Sequence, residues 1–189
     1  MSVSSYQAGL RSATRGFYNG VLTQGQFVDS MESTIRRGLT QAFIEGAKVC
    51  NVAQDELTDK ELDALTEAIE SEYEYISDFA AGIEESEKLA ALYSRLDRWT
   101  LRYTDILNRA KTMACADEKL EWRLGATEKH CNTCPRLNGK VKRGSQWDRL
   151  GIHPQRPPNS CLDCGGWECK CGVYPTDKAV SRGSLGVSC

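Results

Sequence analysis

Six cysteines crowd between residues 131 and 171, and their spacing points to metal chemistry. Cys131-x2-Cys134 and Cys161-x2-Cys164, with 26 residues between the pairs, have the spacing of a zinc ribbon. Two cysteines three positions apart on a tight turn can both reach one tetrahedral ion, and a second such turn completes four thiolate ligands. Gly165 and Gly166 follow the second pair; glycine lets the chain curl behind the cysteine so that backbone N–H groups point at its sulfur. Cys169-x-Cys171 supplies two thiols more than one ion needs. Four thiolates leave zinc no open position for water, so the expected role is structural. One ion would stand in for the core that about sixty residues cannot build.

Competing chemistries fit less well. Nothing repeats a ferredoxin spacing, although tetrahedral thiolates alone do not separate zinc from iron–sulfur. No βαβ pattern surrounds CNTC, as a thioredoxin-like site would need. A zinc deaminase needs His-x-Glu ahead of its cysteines, whereas His130 precedes Cys131-Asn132 and His153 precedes Pro154-Gln155. A second ion would require both histidines as ligands, so one zinc is expected. Lys140, Lys142, Arg143, Arg149 and Arg156 could follow a nucleic-acid backbone, or serve as solubilising charge in polar loops.

The elements that hold these residues differ sharply from the rest of the chain. Residues 1–128 carry 14 basic and 22 acidic side chains, residues 129–189 carry 10 and 4, and only Cys50 and Cys115 of nine cysteines precede position 129. A boundary is expected between Gly125 and Lys129. In the acidic part, Tyr6, Leu10, Phe17 and Val21 suggest a short helix stopped near Gly20. Thr23 and Gln26 form a capping box ahead of Phe27, Met31, Ile35, Leu39 and Phe43, which predicts a helix over 24–48. Thr58 and Glu61 open another, over 59–83, where Tyr73 would stand in for Glu72 in the apolar stripe. Glu67, Glu70, Glu72 and Glu74 are assigned to a solvated face. Leu89, Leu92, Leu96, Trp99, Tyr103, Ile106, Ala110 and Met113 alternate steps of three and four, an unbroken a/d seam. The last two helices should fold back as a long antiparallel hairpin.

In the basic part, Trp122, Leu124 and Ala126 alternate as in a short strand, and Asn138-Gly139 signals a type I′ hairpin. Ser145 and Asp148 look like a capping box for one helical turn ending at Gly151, and residues 176–189 read as a loose tail. The expected fold is mainly α: a helical domain over 1–125, a small α+β zinc-ribbon-like module over 126–175 and the tail. The 189-residue length, 26% charge and mean hydropathy of -0.48 exclude a wholly disordered chain, and no apolar run could span a membrane. The first twenty residues lack a secretory pattern, so a reducing compartment without stable disulfides is expected.

The segments HCNTCPRLNGKV, SQWDRLGIHPQ and CLDCGGWECKCGVYP, behind a helical region, resemble the phage head morphogenesis proteins, the phage Mu F-like minor head proteins. FYNGVLTQGQFVDSMESTIRRGLTQAFIEGA and LDRWTLRYTDILNRA are more loosely similar to the family's helical part. The resemblance implies a non-enzymatic minor virion component, present in the virion and in host cytoplasm during assembly. Its implied partners are the portal and other head proteins, its implied work head assembly and DNA packaging or ejection, with double-stranded DNA as a possible direct ligand. Neither a membrane nor a small-molecule substrate is expected. The family ending pairs a Cys-x2-Cys with a Gly turn and a closing His-Pro-x-Cys-Arg-Cys; here Cys131, Cys134, Gly139, Cys169 and Cys171 match, and Cys164 takes the histidine's place. The combined ligand order is Cys131, Cys134 and Cys164, then Cys169 and Cys171, then Cys161. The alternatives are a zinc-ribbon nucleic-acid-binding protein and a metal-dependent nuclease.

Overall fold

Capping chemistry sets where the long helices begin. In a computed structural model of the chain, which describes residues 1–85, 88–127, 129–154, 159–167 and 169–187, α1 spans Val3–Tyr18 and α2 Gln24–Ala47. The Thr23 hydroxyl accepts the Gln26 N–H at 3.3 Å, and the Gln26 side chain accepts the Thr23 N–H at 2.9 Å. The same reciprocal box, Thr58 with Glu61, opens α3, Asp59–Tyr73. The chain breaks at Glu74 and Tyr75 before α4, Ile76–Glu84, so the single helix expected over 59–83 is two. Then α5 runs over Leu89–Ala114, within a residue of expectation.

The α5 seam is buried, but not as the hairpin expected with 59–83. Its most extensive packing is against α2, then α1. Close approach explains the preference. A methyl at Gly38 of α2 would lie 2.3 Å from the Tyr6 ring, and one at Gly46 would lie 2.3 Å from the Leu107 carbonyl oxygen of α5. Small residues on α2 thus admit α1 on one side and α5 on the other. Tyr6, Phe27, Phe43, Phe79, Leu96 and Trp99 anchor the resulting core.

Glu72 is also a correction. Rather than facing solvent it is buried, with Arg102 Nε donating to it at 2.5 Å and Arg102 Nη1 donating to buried Asp105 at 2.7 Å. Burial pushes the Glu72 carboxyl upward against the pull of that guanidinium.

The second core begins at Cys115, ten residues before the expected boundary. Strands β1 (Lys119–Arg123), β2 (Val141–Arg143) and β3 (Gly172–Pro175) form an antiparallel sheet in the order β2-β1-β3. Leu120 pairs with Lys142 on one side and Pro175 on the other. Short helices α6 (Thr133–Leu137) and α7 (Gly144–Arg149) flank β2. Trp122 and Trp147 pack at 5.8 Å between ring centroids, and the Trp147 indole N–H donates to the Leu120 carbonyl at 3.0 Å.

Three local expectations change. Asn138 has φ -56 and ψ 128, Gly139 has φ 76, and Lys140 N donates to Leu137 O, so the turn is type II and joins α6 to β2. The first turn of α7 is satisfied by Gln146, whose side chain accepts the Arg143 N–H at 3.0 Å, not by Ser145 with Asp148. The tail is anchored: Ser181 N donates to Val141 O at 2.9 Å, its hydroxyl accepts from Val141 N, and Leu185 is buried. Among the described residues no helix is long and apolar enough to cross a membrane.

Candidate metal centre

Each thiol of the cluster is placed by a different piece of local structure. Cys131 precedes α6 and Cys134 lies within it, so one short helix aims both sulfurs, 3.2 Å apart, to one side. Cys164 sits on a turn whose next residues, Gly165 and Gly166, have φ 60 and 82, a conformation that side chains disfavour. Asn159 shapes that turn: its side chain accepts from Cys161 N and donates to His153 O, and its N–H donates to Gly165 O. Thr133, between the first two cysteines, ties the halves together by accepting the Asp163 N–H at 3.0 Å. Cys169 and Cys171 lead directly into β3.

Five thiols result, in two triads: Cys131, Cys134 and Cys164, and Cys134, Cys169 and Cys171, each with all sulfurs within 4.8 Å. Cys134 belongs to both, and its sulfur lies 4.0 Å from that of Cys169. Four sulfurs about 2.3 Å from one zinc stand about 3.8 Å from each other, so either triad suits three positions of a tetrahedral ion, and a fourth sulfur must come in from the other triad. The surroundings suit thiolates as well. Cys131 is approached by the backbone N–H groups of Cys134 and Cys164, Cys164 by that of Gly166, and Cys171 by that of Gly125. The buried Trp122 indole N–H, which has no nitrogen or oxygen partner, lies beside Cys171. Hydrogen bonds from Cys134 and then Cys169 hold the Cys171 thiol down to about 3, while burial pushes Cys164 up to about 12. Cys134 itself is pushed up, first by Cys169 and then by Cys171. A bound cation would take the place of the thiol protons and balance the thiolate charge.

Gly125, expected at a boundary, is a packing requirement. A methyl there would lie 1.8 Å from the Lys170 carbonyl oxygen, because the exit from β1 runs directly beneath the cysteine loop.

Other expected site residues fall elsewhere. Cys161 is engaged in a disulfide and is not among the free thiols, so it drops from the ligand set. A second disulfide joins Cys50 to Cys115, contrary to the expectation of none. Their pairing follows from α2 packing on α5, which brings the two Cα atoms to 5.5 Å across 65 residues, a proximity no local spacing could announce. His153 is buried with Nε2 3.8 Å from Asp148, away from the thiols, and His130 joins neither triad. Of the basic residues, Lys142 donates to the Ser181 carbonyl and Arg143 to the Asp117 carbonyl. Arg149 is exposed, Lys140 is half-buried, and Arg156 lies outside the described residues. Thr133 and Asn159 are not singled out by the sequence, and Trp122 is read there only as a strand residue. Only Thr133 carried a signal, as a hydroxyl inside Cys-x2-Cys.

No protein-family model, curated protein or solved structure matches the chain.

Proposed function

We propose that this chain is a non-enzymatic minor head protein of a tailed bacteriophage, in which a rigid helical body carries a zinc-stapled module. The observation that supports it is the five-thiol cluster, closed at the foot of α5 within the segment that resembles the minor head proteins. Cys131, Cys134, Cys164 and Cys169 would hold one zinc. Cys169 is preferred to Cys171 because, of these two sulfurs, it is the one that acts electrostatically on Cys164 of the first triad. Bound zinc would supply cross-linking of α6, the glycine turn and β3. With four thiolates it offers no position to activate water, which favours assembly over the nuclease reading.

Portal and other head proteins are the proposed partners, in the virion and in host cytoplasm during assembly. Lys142 and Arg143 are committed to carbonyls of their own chain, which weighs against a free-standing nucleic-acid binder that reads DNA through that loop. Mass spectrometry of purified parent particles should find this chain, and particles made without it should fail in assembly, packaging or infection. Normal assembly and infectivity without it would contradict the proposal.

A further inference from the structure

A cleft of about 700 Å³ lies between the helical body and the cysteine module. Its size falls in the range of about 300–1,000 Å³ that small ligands occupy. One wall is α5, which presents Arg95, Arg98, Arg102 and Arg109; the opposite wall is α3 and α4, and Gly166, Trp167 and Cys169 close the end.

Two of its four arginines are already paired. Arg102 is held by Glu72 and Asp105, and Arg109 by Glu67 at 3.5 Å and the Ala64 carbonyl. Arg95 and Arg98 have no carboxylate within 4.0 Å among the described residues. Their guanidinium groups lie instead over the rings of Phe79, at 4.8 Å, and Trp167, at 6.0 Å. Among the described residues, Asp78 is the one lining carboxylate without a cation. Unmet hydrogen-bonding groups on this wall are donors too: the Trp99 indole N–H, in a residue only 6% exposed, and Arg109 Nε are buried without a partner. Two arginines without a carboxylate, set beside unmet donors, suit a ligand that brings acceptors and negative charge. Two aromatic rings stand open on the same cleft, Trp167 at 52% and Tyr75 at 59% exposure. A half-exposed indole beside an arginine offers a face on which a flat ring can stack.

We infer that this cleft binds a nucleotide unit, its phosphate held by Arg95 and Arg98 and its base stacked on Trp167. The inference rests on the metal reading only through the Trp167 wall, whose N–H is tied to the Cys164 carbonyl at 3.0 Å. The unit could be a free nucleotide or part of a single strand, which share this chemistry.

The test uses the full chain, purified with its metal, titrated separately with ADP and with a fluorescent ten-nucleotide dT strand. Saturable binding with quenched tryptophan fluorescence is expected. Arg95→Ala with Arg98→Ala should weaken it by about tenfold or more, and Trp167→Ala by about tenfold with loss of the quench. Arg37→Ala, at an exposed position of α2 outside the cleft, should leave it unchanged. Strand binding at least about tenfold tighter than ADP identifies a strand, and equal binding a free nucleotide. Absence of saturable binding of both probes below about 1 mM, or unchanged binding by the double variant, overturns the inference. Zinc measured on the same samples separates the two readings: metal retained without nucleotide binding sinks the cleft alone, and nucleotide binding without metal sinks the centre alone.

Discussion

The sulfurs of Cys134 and Cys169 lie 4.0 Å apart although 35 residues separate them in sequence. Between them run α6, β2, α7 and the glycine turn, so this one contact closes the whole module onto itself. Ordering a loop of that length costs conformational entropy that the small second core must offset, and the ion proposed across the contact would supply what apolar burial alone does not.

Serine substitutions should therefore separate by position. Cys134→Ser, which removes the sulfur common to both triads, should abolish metal binding and unfold residues 116–187, read as lost dispersion of their amide resonances. Cys169→Ser should release metal, whereas Cys171→Ser and Cys161→Ser should keep it with milder loss of stability. Equal metal retention by Cys134→Ser and Cys161→Ser would contradict the ligand assignment.

Arg102 should be among the most sensitive positions of the helical body. Arg102→Ala leaves Glu72 and Asp105 buried without their cation, at an expected cost of about 3–5 kcal/mol in chemical denaturation. The pH dependence has a definite sign. A carboxyl whose folded pKa is raised binds protons more readily in the folded state, so its contribution is present at low pH and lost as pH rises through the folded value. Glu72 is already raised by burial, and removing Arg102 raises it further. The variant should thus lose additional stability relative to the parent as pH rises above about 4.5, the ordinary carboxyl value. A cost that stays constant with pH would show that the pair is not buried as described.

Lys111 supplies the opposite slope. It is 7% exposed, donates to the Val173 carbonyl at 3.4 Å and lies over the Tyr174 ring, and burial lowers its pKa from the ordinary 10.5. Between the lowered folded value and 10.5 the unfolded chain binds the extra proton, so stability from this group rises with pH in that window. Comparing the parent with Lys111→Met, the parent should gain relative stability as pH climbs toward 10.5. Parallel profiles would show that the amine is solvated.

The Cys50–Cys115 bridge ties the end of α2 to the end of α5 across 65 residues. Chain entropy assigns a loop of that length about 4 kcal/mol. Cys50→Ser with Cys115→Ser should lower the melting temperature by about 8–16 °C, taking about 2–4 °C per kcal/mol for a chain of this size. A shift of under about 2 °C would mean that the bridge contributes little to the native body.

What the sequence made legible was local. Capping boxes at Thr23 and Thr58 placed α2 and α3 because their hydrogen bonds span three residues, and the Leu89–Met113 seam placed α5 to within a residue. The partner of that seam was not legible, because it depends on Gly38 and Gly46 admitting close neighbours. Glu72 looked like a surface residue until Arg102, thirty positions later, gave it a counter-charge. At the cysteine centre the first pair followed from its spacing, but Cys161 and Cys164, identical in spacing, parted: the Asn159 turn sends one to a disulfide and the other to the cluster. Asn138-Gly139 was correctly a turn and wrongly typed, since only Gly139 takes positive φ where a helix, not a strand, leads in.

Native mass spectrometry of the full chain, expressed with zinc and purified under reducing conditions, tests the centre most directly. One zinc per chain, retained through gel filtration and lost in Cys134→Ser, is the expected result. A parent chain that carries no metal would contradict the account, and with it the explanation of how residues 116–187 hold their fold.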